Sequence, residues 1–159
     1  MLLEQSYIDH LITCPKLISK PPKKLFQETG TNRRNDLEVE TLDHQEQFSI
    51  FLRQNNILPD NFSLGLIWKS HELNKDIIIF RCNGPHGGNL KIKEHFKQHI
   101  HKISAEDINN QHYKPSSIEV TSEYVSFDQA IAFFMLYCNI QNAHIYFPSI
   151  TSQSLFSEL

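Results

Sequence analysis

The sequence predicts an α+β fold, an antiparallel sheet of about six strands with an N-terminal helix and a C-terminal helix packed on it. Helical periodicity is found near the two ends of the chain, at residues 3–13 and 126–140. The segments between them read as strands that follow one another without intervening helices, which favours α+β over a parallel α/β sheet. A chain of 159 residues is expected to form a single domain.

The N-terminal helix is predicted over residues 3–13, and it should end before Pro15, because the residue before a proline is pushed out of the α region. Its apolar residues recur at helical spacing: Leu3, Tyr7, Ile8, Leu11 and Ile12. Residues 16–35 are rich in lysine and arginine, contain Pro21 and Pro22 and show no clear period. We therefore expect a basic connector there.

Residues 36–55 predict a β-hairpin. Leu37, Val39 and Thr41 alternate with acidic residues, the letters LDHQE form the turn, and apolar residues alternate again from Phe48. Residues 62–70 and 76–83 are the next predicted strands, and the second is too apolar for an edge position.

The second half of the chain predicts two short strands and the clearest helix. The strands are residues 98–104 and 117–122, and the helix is 126–140. Ser126 and Gln129 have the spacing of a capping box. The apolar stripe of this helix is Phe127, Ala130, Ile131, Phe134 and Cys138. We expect residues 148–159 to form a flexible tail.

The composition of the chain indicates its cellular compartment and makes some classes of binding partner less favourable. The formal net charge is only −3, so no strong long-range attraction to nucleic acid or membrane is expected. The three cysteines are far apart in the sequence, which argues against a disulfide framework and for a reducing compartment. The N-terminus lacks the features of a signal peptide, and no apolar run reaches membrane-spanning length. We predict a cytoplasmic protein without membrane contact.

Five of the nine histidines fall between residues 86 and 112. On a strand, His99 and His101 would share one face, whereas on a helix His95 and His99 would. The cluster can be a metal site, an acid/base pair or a solvated strand face. No spacing here matches a known zinc signature, so we predict no metal and no cofactor.

An acid/base pair is the chemistry that these residues suit best. Histidine has an ordinary pKa of about 6.5, close to the working pH of an enzyme. Metal-independent RNA cleavage through the 2′-hydroxyl needs a base, an acid and a cation for the phosphate. We assign His99 and His101 to the proton transfers, Arg81 to the phosphate and His86 to an assisting role.

The stretch RCNGPHGGN, residues 81–89, holds three of the five glycines. Gly84, Gly87 and Gly88 can present backbone N–H groups to an anion, or can simply form a tight connection between strands. The stretch lacks the pattern of a nucleotide-binding P-loop. We add Tyr113 to the three glycines as a candidate substrate-binding residue.

The order of these signals resembles a family of small uncharacterised bacterial proteins. The resemblance covers most of residues 3–142 and is carried by YIDHLITCPK, LEVETLD, FSIFLRQ, IIIFRCNGPHGG, QHIHKI and FFMLYCNI. The family pattern falls on Arg81, Gly84, His86, His99, His101, Tyr137, Cys138 and Asn139. In this chain Cys82 replaces a typical acidic residue, and the segment after His101 diverges. The resemblance implies a protein of a mobile element, a defence system or a toxin–antitoxin module.

Two functions therefore remain open. The first is a metal-independent endoribonuclease toxin, with RNA as its substrate and a cognate antitoxin as its protein partner. The second is a non-enzymatic binding protein, namely an antitoxin, an immunity protein or an inhibitor, which contacts a partner protein. Convergence of His99, His101 and Arg81 in one cleft would favour the first.

Overall fold

The structure is a computed structural model that describes residues 2–87 and 90–151. It confirms the α+β class, and its open sheet has eight strands rather than six. The strands are β1 Lys16–Lys20, β2 Gln27–Thr29, β3 Asn32–Thr41, β4 Gln47–Asn55, β5 Phe62–Ser70, β6 Lys75–Asn83, β7 His99–Lys102 and β8 Glu119–Val120. The helices are α1 Gln5–Thr13, α2 Ala105–Asn109, α3 Phe127–Tyr137 and α4 Ala143–Tyr146, with a 3-10 helix at Lys93–Phe96.

The sheet is antiparallel, in the order β1-β3-β4-β5-β6-β7-β8, and β2 pairs separately with β3. The predicted hairpin is confirmed as β3 and β4, which pair from Asn32 opposite Asn55 to Glu40 opposite Gln47. β5 and β6 also lie where alternation and apolar runs predicted them. β7 and β8 are shorter than predicted.

The prediction of a connector at residues 16–35 is wrong. These residues form β1, β2 and the first part of β3. β1 alternates buried and exposed residues, but its first inward residue is Lys16, which is fully buried. A lysine at a core position removes the apolar alternation by which a strand of five residues is recognised.

The two predicted helices are confirmed. α1 ends at Thr13, before Pro15. α3 begins after Ser126, which with Gln129 forms the reciprocal hydrogen bonds of a capping box. All five residues of its predicted apolar stripe are buried. In the predicted tail, residues 148–151 are helical, and residues 152–159 lie outside the described part.

The two faces of the sheet differ in chemistry. Leu37, Ile50, Leu66 and Phe80 lie opposite one another across β3–β6 and are buried in the core. The other face carries two cross-strand rows of mostly polar residues, because directly opposed residues of antiparallel strands project to the same side. The first row is Arg34, Arg53, Ser63, Asn83 and His99; the second is Asp36, Phe51, Gly65, Arg81 and His101. We call this side the polar face.

Within residues 2–87 and 90–151, no helix has the length and the apolar character needed to cross a membrane.

Candidate functional site

Four histidines meet at the end of the polar face formed by β6 and β7. His99 and His101 lie on β7, His86 lies in the loop after β6, and His95 lies on the 3-10 helix. Each ring has a neighbouring ring whose centroid is 4.4 to 5.1 Å away, and the centroids of His95 and His101 are 6.4 Å apart. The predicted catalytic residues His86, His99 and His101 are therefore brought together, and His95 joins them.

His99 is buried, and its hydrogen bonds determine its tautomer. Its Nδ1 lies 2.7 Å from the carbonyl oxygen of Lys97, which can only accept, so Nδ1 carries the hydrogen. Its Nε2 then carries a lone pair, which accepts a hydrogen bond from the Nδ2 of Asn83 at 3.2 Å. Burial, together with smaller contributions from the neighbouring histidines, lowers the pKa of His99 to about 4. His99 is therefore neutral at neutral pH.

Asn83 is oriented by a buried network next to His99. Its Oδ1 accepts hydrogen bonds from the Ser63 hydroxyl at 2.7 Å and from the Arg81 Nε at 3.1 Å. Since an arginine can only donate, the atom facing Arg81 is the amide oxygen, and the amide nitrogen must face His99. The Tyr124 hydroxyl lies within hydrogen-bond distance of the carbonyl oxygens of Asn83 and His99, at 2.8 and 3.0 Å, and so bridges the ends of β6 and β7.

His101 lies directly opposite Arg81 in the β6–β7 ladder. Its Nδ1 donates to the carbonyl oxygen of Ser117 at 3.1 Å, which leaves Nε2 as the acceptor. No other described residue bonds to this Nε2. Burial and the positive charge of Arg81 lower the pKa of His101 below its ordinary value. A neutral imidazole in this position can accept a proton.

Arg53 and Arg81 are half-buried cations on the polar face. Among the described residues, neither forms a salt bridge with a carboxylate, whereas Arg34 pairs with Asp36 at 3.0 Å. Within residues 2–87 and 90–151, the side-chain partners of Arg53 are the amide oxygens of Asn32 and Asn61. The terminal amino groups of Arg81 bond to no described residue. Burial lowers the pKa of both arginines, and the charge of Arg34 at Arg53 and of Arg53 at Arg81 adds to the shift. Adjacent cations without a counter-charge suit an anionic ligand.

The Phe51 ring packs against the guanidinium groups of Arg34 and Arg81. It lies against Gly65 on the next strand, where an added Cβ would clash with the Phe51 ring. The guanidinium carbons of Arg34 and Arg81 are 5.0 and 5.7 Å from the ring centroid. Cation–π contact with a shared ring holds both arginines on the polar face.

The predicted substrate-binding residues Tyr113, Gly84 and Gly87 differ in where the structure places them. Tyr113 lies against Lys75 at the beginning of β6. Position 75 is about 20 Å along the strand from position 81, so the assignment of Tyr113 to the site of Arg81 is wrong. Gly84 is buried and donates its N–H to the Phe62 carbonyl at 3.0 Å, which makes it a packing residue. Gly87 is exposed, and its carbonyl accepts from His86 Nδ1 at 3.1 Å. Gly88 lies outside the described residues.

A pocket of about 270 Å³ opens beside His86. Its lining is mainly apolar and includes Leu58, Pro85 and Phe96, and Asp60 and Asn61 also line it. A ring of the size of a nucleobase fits walls of this kind.

Three of the histidines have the geometry of a ligand set. His86, His95 and His99 each offer one ring nitrogen, and these nitrogens all lie within 4.8 Å of one another. Sequence reasoning predicted no metal because the spacing between the residues matches no zinc signature. Spatial convergence does not depend on that spacing, because the three side chains come from a loop, a 3-10 helix and a strand.

A comparison with family models matches residues 3–140 to a family described as "Family of unknown function (DUF6978)". No curated protein and no solved structure matches the chain.

Proposed function

The chain belongs to this family of unknown function, and from the geometry of its site we propose that the polar face binds and cleaves RNA. One observation carries the proposal: His101 and the half-buried Arg81 lie directly opposite each other on the same face, beside His99. This arrangement brings together a base and a cation for the phosphate, which supports the proposal. The setting that we propose is a toxin–antitoxin or defence module, in which the chain is the toxin.

Phosphate recognition is assigned to Arg53 and Arg81. A guanidinium group pairs with two oxygens of a phosphate through parallel hydrogen bonds. Both arginines lack a carboxylate partner among the described residues, so a phosphate would not have to displace an ion pair. The pocket beside His86 would hold a base next to that phosphate.

The proton transfer is assigned to His101, because its Nε2 is the acceptor and makes no hydrogen bond with the described residues. In the proposed step, Nε2 takes the proton of the 2′-hydroxyl while O2′ bonds to phosphorus. The P–O5′ bond breaks, and O5′ takes a proton from water. The hydroxide left by that water takes the proton back from His101. The products are a 2′,3′-cyclic phosphate and a 5′-hydroxyl end.

His99 has a different role from the one predicted. Its Nε2 is already occupied by Asn83 and faces His86, so it is not available as the second proton carrier. We assign to it the positioning of the site at the beginning of β7.

The test is cleavage of single-stranded RNA by purified wild type, His101→Ala and a control, His71→Ala, which changes an exposed histidine in the turn between β5 and β6. We expect cyclic-phosphate products from wild type and from the control. His101→Ala should lose roughly 100-fold or more in rate, because it removes the base. Equal rates for His101→Ala and wild type would refute the assignment.

A second candidate is the non-enzymatic binding protein, and exposed apolar side chains near the site favour it. Ile57, Leu58 and Phe96 are 72, 63 and 48 % exposed, and the last two line the pocket beside His86. Induced expression in bacteria separates the candidates. Growth arrest by wild type but not by His101→Ala supports a toxin, and no arrest by either supports a binding role.

A further inference from the structure

We propose that His86, His95 and His99 together bind one divalent transition-metal ion, with Zn²⁺ as the ion that the donor set suits. The inference deepens the proposed function, because the ion would lie beside His101 and Arg81. Binding of the ion itself does not depend on RNA cleavage.

The first argument is the orientation of two lone pairs. His86 Nδ1 faces the carbonyl oxygen of Gly87 at 3.1 Å, and His99 Nδ1 faces that of Lys97 at 2.7 Å. A carbonyl oxygen only accepts, so both hydrogens lie on Nδ1 and both Nε2 atoms carry lone pairs. These Nε2 atoms are 3.3 Å apart. The lone pair of His99 Nε2 accepts from Asn83, and neither Nε2 supplies a hydrogen to the other, so a cation bound by both Nε2 atoms would take the place of that hydrogen bond.

The second argument is the distance itself. Zinc–nitrogen bonds of about 2.0–2.1 Å at a tetrahedral angle place two ligand nitrogens roughly 3.3–3.4 Å apart. The observed separation of the Nε2 atoms of His86 and His99 is 3.3 Å. These two imidazoles are therefore already placed as ligands of one ion.

His95 supplies the third ligand. Its ring centroid is 4.4 Å from that of His86 and 5.2 Å from that of His99. The backbone N–H of His86 donates to the backbone carbonyl of His95 at 2.8 Å, and this bond holds the two segments together. Since the three ligand atoms lie within 4.8 Å of one another, tetrahedral ligation requires a shortening of at most about 1.4 Å. A rotation of the half-exposed His95 side chain supplies that movement.

The surroundings match those of bound metals in proteins. Metal-ligating histidines usually donate their other ring N–H to a carbonyl or a carboxylate, as His86 and His99 do. Three neutral imidazoles favour zinc, cobalt, nickel or copper over calcium and magnesium, which prefer oxygen. Ion binding replaces the hydrogen bond from Asn83 to His99 Nε2. Three protein ligands leave a fourth position for water or a substrate oxygen.

The test uses the full chain, freed of metal by dialysis against a chelator and titrated with Co²⁺ and then Zn²⁺. We expect one equivalent of Co²⁺ to bind with a visible absorption band, and Zn²⁺ to displace it. His86→Ala and His95→Ala should each weaken binding at least about tenfold. Both side chains are partly exposed, so both variants should fold, and circular dichroism checks this. His71→Ala is the control and should bind as wild type does.

The outcomes separate this inference from the proposed function. Stoichiometric binding that is lost in both variants supports the site even if no RNA is cleaved. Absence of Co²⁺ and Zn²⁺ binding, or equal affinity in wild type, His86→Ala and His95→Ala, overturns it. If RNA is cleaved at full rate while no ion binds, the proposed function stands and the site is not a metal site.

Discussion

Asn83 donates a hydrogen bond from its amide nitrogen to His99 Nε2, and the two residues face each other across β6 and β7. The amide oxygen of Asn83 accepts from Ser63 and Arg81. One buried side chain thus links Arg81 to the histidine cluster. The polar face is held by this network and by the strand register together.

Replacement of Asn83 by alanine should lower the free energy of unfolding by about 1–3 kcal/mol, because it leaves the buried Ser63 hydroxyl without its acceptor. Urea denaturation measures this. Co²⁺ affinity should be retained or raised, because the amide no longer competes for His99 Nε2. A loss of Co²⁺ binding in a folded Asn83→Ala protein would contradict the arrangement of His99 given above.

Replacement of Arg53 by alanine should lower the affinity for RNA. It should also make that affinity depend less on the salt concentration. Each phosphate contact with single-stranded nucleic acid contributes about 0.7 to the slope of log K against log salt concentration. We expect the slope for Arg53→Ala to fall by roughly that amount, measured by fluorescence anisotropy in the His101→Ala background. The control is Lys114→Met, next to Tyr113 and away from the site. Equal slopes for Arg53→Ala and Lys114→Met would exclude Arg53 as a phosphate ligand.

Two glycines of the same loop should respond differently to alanine. At Gly84 an added Cβ would clash with the carbonyl oxygen of Asp60 and with the Phe62 ring, whereas at Gly87 nothing lies within 4 Å. Gly84→Ala should cost more than about 2 kcal/mol of stability, and Gly87→Ala less than about 0.5 kcal/mol. Urea denaturation of the two variants tests this. Similar losses in both would show that Gly84 is not confined by packing.

Lys16 joins the C-terminal ends of two helices. Its buried ammonium group donates to the carbonyls of Ile12 and Cys14 at the end of α1, and of Cys138 at the end of α3, at 2.8 to 3.0 Å. Lys16→Met should cost roughly 3 kcal/mol or more, because three carbonyls lose a charged donor. Lys20→Met, an exposed change on the same strand, should stay within about 0.5 kcal/mol. A small loss for Lys16→Met in urea denaturation would contradict this.

The same lysine predicts a dependence of stability on pH. Burial lowers the pKa of Lys16 below its ordinary 10.5. Between the folded and the unfolded pKa the unfolded chain binds more protons, so the stability of the folded state rises with pH in that window. The difference in unfolding free energy between wild type and Lys16→Met should therefore grow as the pH rises toward 10.5. A constant or shrinking difference would show that the three carbonyls hold the lysine pKa at its ordinary value.

Periodicity determined most of the elements. α1, the β3–β4 hairpin, β5, β6 and α3 lie where alternation, helical spacing and the capping box at Ser126 placed them. β1 and β2 were missed, because both are short and because Lys16 occupies a core position. Local pattern fails where a polar residue is stabilised inside the core by distant partners, here the carbonyl of Cys138.

For the site, the sequence by itself predicted that His99 and His101 share a face if they lie on a strand, and that Arg81 ends an apolar strand. The tertiary structure decided that Arg81 lies opposite His101 and that His86 and His95 reach His99. It also brought Asn83, Ser63 and Arg53 to the site and removed Tyr113 from it. The period of a strand tells which residues share a face, whereas strand order and register, which depend on packing of the whole sheet, decide which faces meet.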